Sequence, residues 1–348
     1  MLDLALLAAT ILCPALTTFW LVSRKLGEGH DLHTKARSVF ELNTEHGLIR
    51  QGLLWLAIGI PLSLGFAFGL WTWSGYEVSL TTEGYKRFAE ISLLPLALMS
   101  TSLPLAALVA RFHSTQQAAR QITLSRTKNN LDAYYAHRKA MFEYFKEIDD
   151  TKYFNQYTFS YKTHPVIHKR FFIGTPEDGT PAANKHAFEQ IERFILSAAN
   201  FLSGVLDGSN KNPLSFYLAA STDIYHAARK LNIKKIYMIM REQGVYVRYD
   251  DGSDAPTFGT STLETLAALR FTWEHYNNLC DFSGRDRMDI PPELEAVFTK
   301  TEFWLNKGKF IEALHEGPIA ELVASGSASL GELHHTLQPT SVGSASLE

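Results

Sequence analysis

The chain has 348 residues, a formal net charge of −3 and two cysteines. That length allows a membrane unit plus one soluble domain of ordinary size. The charge argues against a dedicated nucleic-acid binder, which carries a strongly basic face. Two cysteines provide neither a disulfide framework nor a cysteine-based zinc site, as expected for a domain facing a reducing cytosol.

The first element is an uncharged apolar run, residues 4–22. A secretory signal needs positive charge before its apolar region, but here Asp3 precedes the run and Arg24 and Lys25 follow it. We therefore predict a membrane helix whose N-terminus lies outside. A short apolar helix that contains Pro14 can also lie in the membrane interface or pack on other helices, and this alternative stays open.

Two further apolar segments, about 53–73 and 91–110, are separated by a short polar loop and contain no charged residue. Each is long enough to cross a bilayer, so we predict a membrane hairpin. The absence of ionisable side chains argues against a proton- or ion-coupled transporter. Gly65 and Gly69 have the small-xxx-small spacing that lets two helices approach closely, within one chain or between subunits.

The topology follows from the distribution of lysine and arginine. Loop 23–51 contains five such residues, whereas loop 74–90 contains only Lys86 and Arg87. The positive-inside rule therefore places loop 23–51 and everything after residue 111 in the cytoplasm.

Residues 113–150 contain no proline or glycine, which predicts a basic juxtamembrane helix continuous with the last span. Its apolar stripe includes Leu124, Leu131 and Tyr135 and is covered either by the rest of the cytosolic domain or by another subunit. Six basic side chains are candidates to bind a partner or anionic lipid headgroups. These candidates are Arg111, Arg120, Arg126, Lys128, Arg138 and Lys139.

Residues 151–324 are predicted to form a mostly helical cytosolic domain with a minor β element, and residues 325–348 a flexible tail. The fold class is thus a mainly α membrane protein with two to three transmembrane helices. The helical pattern is clearest in five segments, and a strand is predicted at 245–249. The helical segments are 184–206, 212–231, 263–282, 292–306 and 309–316, while 233–241 is compatible with helix or strand.

Motifs of known enzyme classes are missing from the sequence. It contains no glycine-rich phosphate loop, no Gly-x-Ser-x-Gly elbow and no His-Glu-x-x-His motif. His164 and His168 are weak metal candidates because Pro165 disfavours a helix between them. We expect no enzyme activity, no cofactor and no metal site.

A resemblance begins where the last span ends. The segments are Arg111-Phe-His-Ser-Thr-Gln-Gln-Ala-Ala-Arg-Gln-Ile122 and Lys128-Asn-Asn-Leu-Asp-Ala-Tyr-Tyr-Ala-His-Arg138, directly after paired apolar segments. Over roughly residues 50–150, this resembles the membrane effectors encoded beside a reverse transcriptase and its non-coding RNA in bacterial anti-phage retrons. Those effectors have two spans, so the run at 4–22 departs from the family pattern.

The resemblance implies a toxin of the bacterial inner membrane. A complex of reverse transcriptase and multicopy single-stranded DNA (msDNA) holds it inactive, and infection releases it to damage the membrane and stop growth. The family contributes no catalytic residues. Expected partners are the reverse transcriptase with msDNA and non-coding RNA, membrane lipids and further copies of the chain; direct contact with nucleic acid stays open. The alternative is a membrane-tethered scaffold protein without toxicity, and a membrane-bound enzyme of another type comes third.

Overall fold

The computed structural model describes residues 2–208, 210–240, 242–248, 254–301, 304 and 309–330. It is 70% helix and 6% strand, which confirms the mainly α fold class. The chain divides into two compact units, Met1–Lys128 and Asn129–Glu348. Within the described residues, three helical stretches are long and apolar enough to cross a membrane.

The N-terminal unit consists of helices, three of them long and apolar. In chain order these are α1 (Leu2–Leu26), α2 (Leu32–Ser38), α3 (Gly52–Trp73), α4 (Thr82–Ser100) and the first part of α5 (Ser102–Lys146).

The third apolar segment is interrupted rather than continuous. A turn at Thr101 separates α4 from α5, and α4 begins at Thr82, well before the apolar stretch. The hydroxyls of Ser100, Thr101 and Ser102 donate to the carbonyls three residues earlier, at 2.7 to 2.8 Å. These bonds add to the backbone hydrogen bonds at the interruption, where the Thr101 amide already donates to the Leu98 carbonyl at 3.2 Å.

The three apolar stretches cover the same length of the unit. Helix α4 is antiparallel to α3, since Trp73 donates to Ser92 while Gly65 contacts Met99. Helix α1 is also antiparallel to α3, because Thr18 contacts Gly59 while the start of α1 lines a shared cavity with Trp71. The 22 residues of α3 extend about 33 Å, which matches a bilayer core of roughly 30 Å.

The loop between α1 and α3 is folded on itself. Gln51 is buried and its side-chain amide donates to the carbonyls of Asn43 and His46, while its Oε1 accepts from the Asn43 amide. A Cβ at Gly52 would lie 2.7 Å from a methyl of Val39, so the chain passes closely there. These contacts hold the loop against the start of α3.

The C-terminal unit contains the rest of α5 and a helical core with small sheets. The helices are α6 (Val166–Phe171), α7 (Lys185–Leu206), α8 (Pro213–Lys230), α9 (Thr262–Ser283), α10 (Glu295–Thr299), α11 (Phe310–Leu314) and α12 (Ala320–Ala324). The strands are β1 (Thr151–Tyr153), β2 (Tyr157–Phe159), β3 (Phe172–Ile173), β4 (Ala182–Ala183), β5 (Val245–Arg248), β6 (Asp254–Pro256) and β7 (Ala328–Leu330).

The main helices of this unit follow their sequence signals. Asn184, Asn212 and Ser261 cap α7, α8 and α9 by accepting an amide N–H of the first turn. Helix α7 buries an apolar face that includes Phe188 and Ile195. The predictions for 184–206, 212–231, 263–282 and the strand at 245–249 are confirmed within one or two residues.

Other predicted boundaries differ from the structure. Residues 235–240 form a π-helical segment. Within the helix predicted over 292–306, a 3₁₀ turn is followed by α10, which ends at Thr299, and Thr301 and Trp304 are again helical; residues 302, 303 and 305–308 lie outside the described residues. The helix predicted over 309–316 continues through a π-helical turn to Ala324. Helix α5 ends at Lys146, and the division between the two compact units falls within it, after Lys128.

The prediction of a flexible tail over residues 325–348 is wrong for its first part, where Ala328–Leu330 form strand β7. Strands β6, β5 and β7 form an antiparallel sheet in which Val245 pairs with Leu330 and Val247 with Ala328. A strand this short owes its order to backbone pairing with β5, which composition does not reveal. Residues 331–348 lie outside the described residues.

Candidate functional site: the apolar helices and α5

Gly65 lies at the contact between α3 and α4. A Cβ built there would be 2.5 Å from Met99 Cγ and 2.7 Å from the Pro95 carbonyl oxygen. Gly69 instead leaves room for the indole of Trp73 on its own helix, since a Cβ would lie 2.6 Å from that ring. The Trp73 Nε1–H donates to Ser92 Oγ at 2.9 Å. Both glycines are therefore used inside the chain.

Helices α1 and α3 are joined by a polar contact within their apolar length. Thr18 Oγ1 donates to Ser63 Oγ at 3.1 Å, and a Cβ at Gly59 would lie 2.7 Å from the Thr18 methyl. The described α1 therefore packs on α3, as the open alternative for residues 4–22 expected. The packing is also compatible with a span, because paired membrane helices use small residues and hydroxyl contacts of this kind.

The outward faces of these helices are apolar and uncovered. The buried positions of α3 are mostly small residues, whereas Phe66 and Leu70 on its other faces are 55% and 56% exposed. Only 6 to 22% of the apolar window of each candidate span is buried. Small residues inside and large apolar residues outside are typical of membrane helices.

The six basic candidates on α5 fall into two groups. Arg111, Arg126 and Lys128 are exposed, and no hydrogen bond or ion pair is found for them within the described residues. The other three have partners inside the chain. Arg120 pairs with Glu45 at 2.6 Å and donates to Thr44, Arg138 lies 6.0 Å above the Phe142 ring, and Lys139 pairs with Glu143 at 3.4 Å.

The apolar stripe of α5 is only partly covered. Phe145 is buried and Phe142 is partly buried against the C-terminal core, but Leu124, Leu131 and Tyr135 are exposed. Packing on the C-terminal unit therefore accounts for the end of the stripe. The rest is an apolar helical surface without an intramolecular partner in the described structure, next to free basic side chains.

A buried polar network in the C-terminal unit has no counterpart in the sequence predictions. Glu274 on α9 accepts from Tyr153 Oη at 2.5 Å and from Tyr161 Oη at 3.0 Å. One turn earlier, Arg270 donates to the carbonyls of Val297 and Lys300. Burial raises the pKa of Tyr161 to about 12 and lowers that of Arg270 to about 10.

This network therefore joins β1, the segment that follows β2 and the α10 region to α9. The signal that could have revealed it is a pair of ionisable residues four apart on an otherwise apolar helix.

The two histidines considered as metal candidates do not come together. His168 lies in α6, and its Nε2 is 3.1 Å from His137 Nδ1, while His164 Nδ1 accepts the amide of Val166. Burial lowers the pKa of His168 to about 4 and also lowers that of His137, so the pair is neutral at pH 7 and shares a hydrogen bond. Among the described residues, no three side chains of the metal-binding types group around one point.

Comparisons with family models, curated proteins and solved structures found no match for this chain.

Proposed function

We propose that the chain is an inner-membrane effector of a bacterial anti-phage defence system of the retron type, acting by abortive infection. A complex of reverse transcriptase and msDNA holds it inactive, and once released it perturbs the membrane. The resemblance of residues 50–150 supports the retron assignment. The observation that supports the effector class is the N-terminal unit, whose three apolar stretches lie side by side with large apolar side chains facing outward.

The C-terminal unit lies in the cytoplasm in this proposal. The antiparallel contacts bring loop 27–51 and Arg111 to one end of the N-terminal unit, and Asp3 and loop 74–81 to the other. Lysine and arginine concentrate at the first end. The positive-inside rule then favours a cytoplasmic position for that end and for all that follows α5. Reporter fusions at residue 330 test this orientation.

The exposed part of α5 is the proposed contact for the inhibitory complex. Arg111, Arg126 and Lys128 offer unpaired charge, and Leu124 and Leu131 offer apolar surface on the same helix. In this scheme the partner covers the helix, and its release leaves the helix free to associate with other copies.

Expression with and without the neighbouring genes tests the proposal. Expression of the chain alone is expected to collapse the membrane potential and stop growth, as reported by a potential-sensitive dye. Co-expression with an adjacent reverse transcriptase gene is expected to restore both. Unchanged potential and growth in cells whose membranes contain the chain would contradict the effector class.

A variant of the hairpin tests whether toxicity depends on its helix packing. Because Gly65 packs on Met99 inside the chain, Gly65→Leu with Gly69→Leu is expected to disturb the hairpin itself and so reduce toxicity. The control is Gly47→Leu, at a position where an added Cβ would have no atom within 4 Å, and this variant is expected to stay toxic. Retained toxicity of the double variant would exclude a mechanism that depends on this packing.

The second candidate is a membrane-tethered scaffold without toxicity. The uncovered stripe of α5 favours it equally, because a scaffold also needs a helix free to bind a partner. Absence of a reverse transcriptase gene beside this one, together with harmless expression, would favour the scaffold.

A further inference from the structure

The C-terminal unit contains a surface cavity of about 320 Å³ whose charge differs from that of its surroundings. Residues 151–348 contain 23 acidic and 19 basic side chains, but none of the residues that line the cavity is acidic. Lysines stand at its rim and buried rings form its floor. The lysines are Lys162, Lys234 and Lys235, and the rings are those of Phe159, Phe271 and His275. An acidic unit thus contains a local positive potential.

Lys234 and Lys235 follow directly after the end of helix α8, where the backbone conformation is well defined. Helix α8 ends at Lys230, and Asn232 adopts a left-handed conformation with φ of 55°. The Ile233 amide donates to the Ala228 carbonyl at 2.8 Å and the Asn232 amide to Arg229. This is the pattern of a Schellman cap, in which asparagine replaces the usual glycine. The backbone that presents Lys234 is therefore fixed in advance.

The three lysines are not equivalent. Lys235 donates to the Thr158 carbonyl and lies 4.7 Å above the Phe159 ring, so it closes the wall of the cavity. Lys162 and Lys234 are exposed and make no hydrogen bond or ion pair within the described structure. Two ammonium groups at the cavity are thus free to bind an anion.

The floor is neutral and partly unsatisfied. Phe271 and His275 are four residues apart on α9 and so present the same helical face. His275 is 1% exposed, and its buried Nδ1 has no hydrogen-bond partner among the described residues. Burial lowers the pKa of His275 to about 4, so the ring is neutral at pH 7. The two rings therefore close the bottom of the cavity, while the buried Nδ1 is not accessible from it.

We propose that this cavity binds a small phosphate ester, with the phosphate at Lys162 and Lys234 and the organic group in the space above the buried rings. The volume lies at the lower end of the range for small-molecule sites, roughly 300 to 1,000 Å³, which fits one ester of nucleoside-monophosphate size. A nucleic-acid strand needs a longer basic groove with open aromatic faces. One face of Phe159 is already occupied by Phe271 at 4.6 Å and the other by Lys235. The site is independent of the membrane activity proposed above.

Calorimetry on the full chain in a phosphate-free maltoside detergent tests the site. The titrants are AMP, glycerol 3-phosphate, adenosine and inorganic phosphate. We expect an ester to bind, adenosine and inorganic phosphate to bind more weakly, and affinity to fall as salt is added. Lys162→Gln with Lys234→Gln is expected to weaken binding at least about tenfold, since each charged hydrogen bond contributes strongly.

Matched variants distinguish a site from general charge. Lys152→Gln with Lys169→Gln removes the same charge from exposed positions outside the cavity and is expected to leave binding unchanged. Lys162→Arg with Lys234→Arg keeps the charge and is expected to retain most of the affinity. Tighter binding of AMP assigns the ligand to the soluble nucleotides, and tighter binding of glycerol 3-phosphate assigns it to lipid headgroups; both support the site.

Three results would overturn the proposal. The first is that neither ester binds at millimolar concentration. The second is that the cavity variant and its matched control bind equally well. The third is that adenosine or inorganic phosphate binds as tightly as the esters.

Discussion

The two units of this chain place large and small side chains in opposite ways. In the C-terminal unit, Phe188, Phe271 and Ile195 are completely buried. In the N-terminal unit, the buried face of α3 contains glycines and a proline, while residues such as Phe66 point outward. In water, burial of apolar surface drives folding, so large side chains belong inside. In lipid that force vanishes, and close backbone contact takes its place.

Polar groups differ between the units as well. The C-terminal unit buries charged and aromatic polar side chains, and Arg270 and Glu274 are supplied with several partners each. The apolar length of the N-terminal unit contains only hydroxyl and indole contacts such as Thr18 with Ser63. This contrast is the one that the proposed membrane location of the N-terminal unit predicts. The four predictions below test it, from the largest expected effect to the smallest.

The largest effect is expected from truncation of a buried ring in the C-terminal unit. Phe188→Ala removes a fully buried side chain that contacts the rings of Phe171 and Tyr276, and is expected to cost about 3 to 5 kcal/mol of unfolding free energy. The measurement is denaturant unfolding of the full chain in detergent, followed by circular dichroism. The control Phe66→Ala, on an outward face of α3, is expected to change little. Equal losses for the two variants would remove the contrast between the units.

The second prediction concerns close packing in the N-terminal unit. Gly65→Ala places a methyl group against Met99 and the Pro95 carbonyl, where little space exists, and is expected to cost about 1 to 3 kcal/mol. The measurement is thermal denaturation in detergent, monitored by the loss of the folded peak in size-exclusion chromatography. Gly47→Ala has open space around the new methyl and serves as the control. A neutral Gly65→Ala would mean that α3 and α4 do not need this contact.

The third prediction is a loss of stability in mild acid. Burial lowers the pKa of His275 to about 4, whereas an unfolded histidine has a pKa near 6.5. Between these values the unfolded state takes up a proton that the folded state does not. The stability that neutral His275 contributes is therefore complete above pH 6.5 and is lost as the pH falls through 4. About 2 kcal/mol is already lost at pH 5.

His275→Phe is expected to reduce this pH dependence, since phenylalanine preserves the stacking on Phe145 and carries no titrating group. The measurement compares denaturant midpoints at pH 7 and pH 5. His186→Gln changes an exposed side chain and serves as the control. If the difference between the midpoints at pH 7 and pH 5 is unchanged in His275→Phe, another group causes the acid sensitivity.

The smallest effect is expected at the surface ion pair of α5. Arg120 and Glu45 are both largely exposed, so the loss of their 2.6 Å contact is expected to cost less than about 1 kcal/mol. A double-mutant cycle of Arg120→Gln and Glu45→Gln measures the coupling. Arg126→Gln, at an exposed position without an ion pair in the described structure, is the control. A coupling of several kcal/mol would show that this contact is far less exposed to solvent than the structure indicates.

Sequence patterns were sufficient for the elements that depend on local signals. The long apolar runs predicted α1, α3 and the second apolar segment of the hairpin, because length and hydropathy determine whether a helix can cross a bilayer. Helices α7, α8 and α9 were predicted from their helical sequence pattern, and in the structure each begins at a side chain that caps it.

Only the tertiary structure decided which surfaces meet. The glycine pair of α3 proved to be used within the chain, β7 took part in a sheet with β5, and the Arg270 and Glu274 side chains found partners on distant segments. The cavity lined by Lys162 and Lys234 joins positions more than seventy residues apart, which no local pattern can relate. The sequence by itself determined where helices begin and which ones are apolar enough for a membrane. The reason for the division is physical: helix caps and hydropathy act within a few residues, whereas packing and ligand cavities arise only when remote segments fold together.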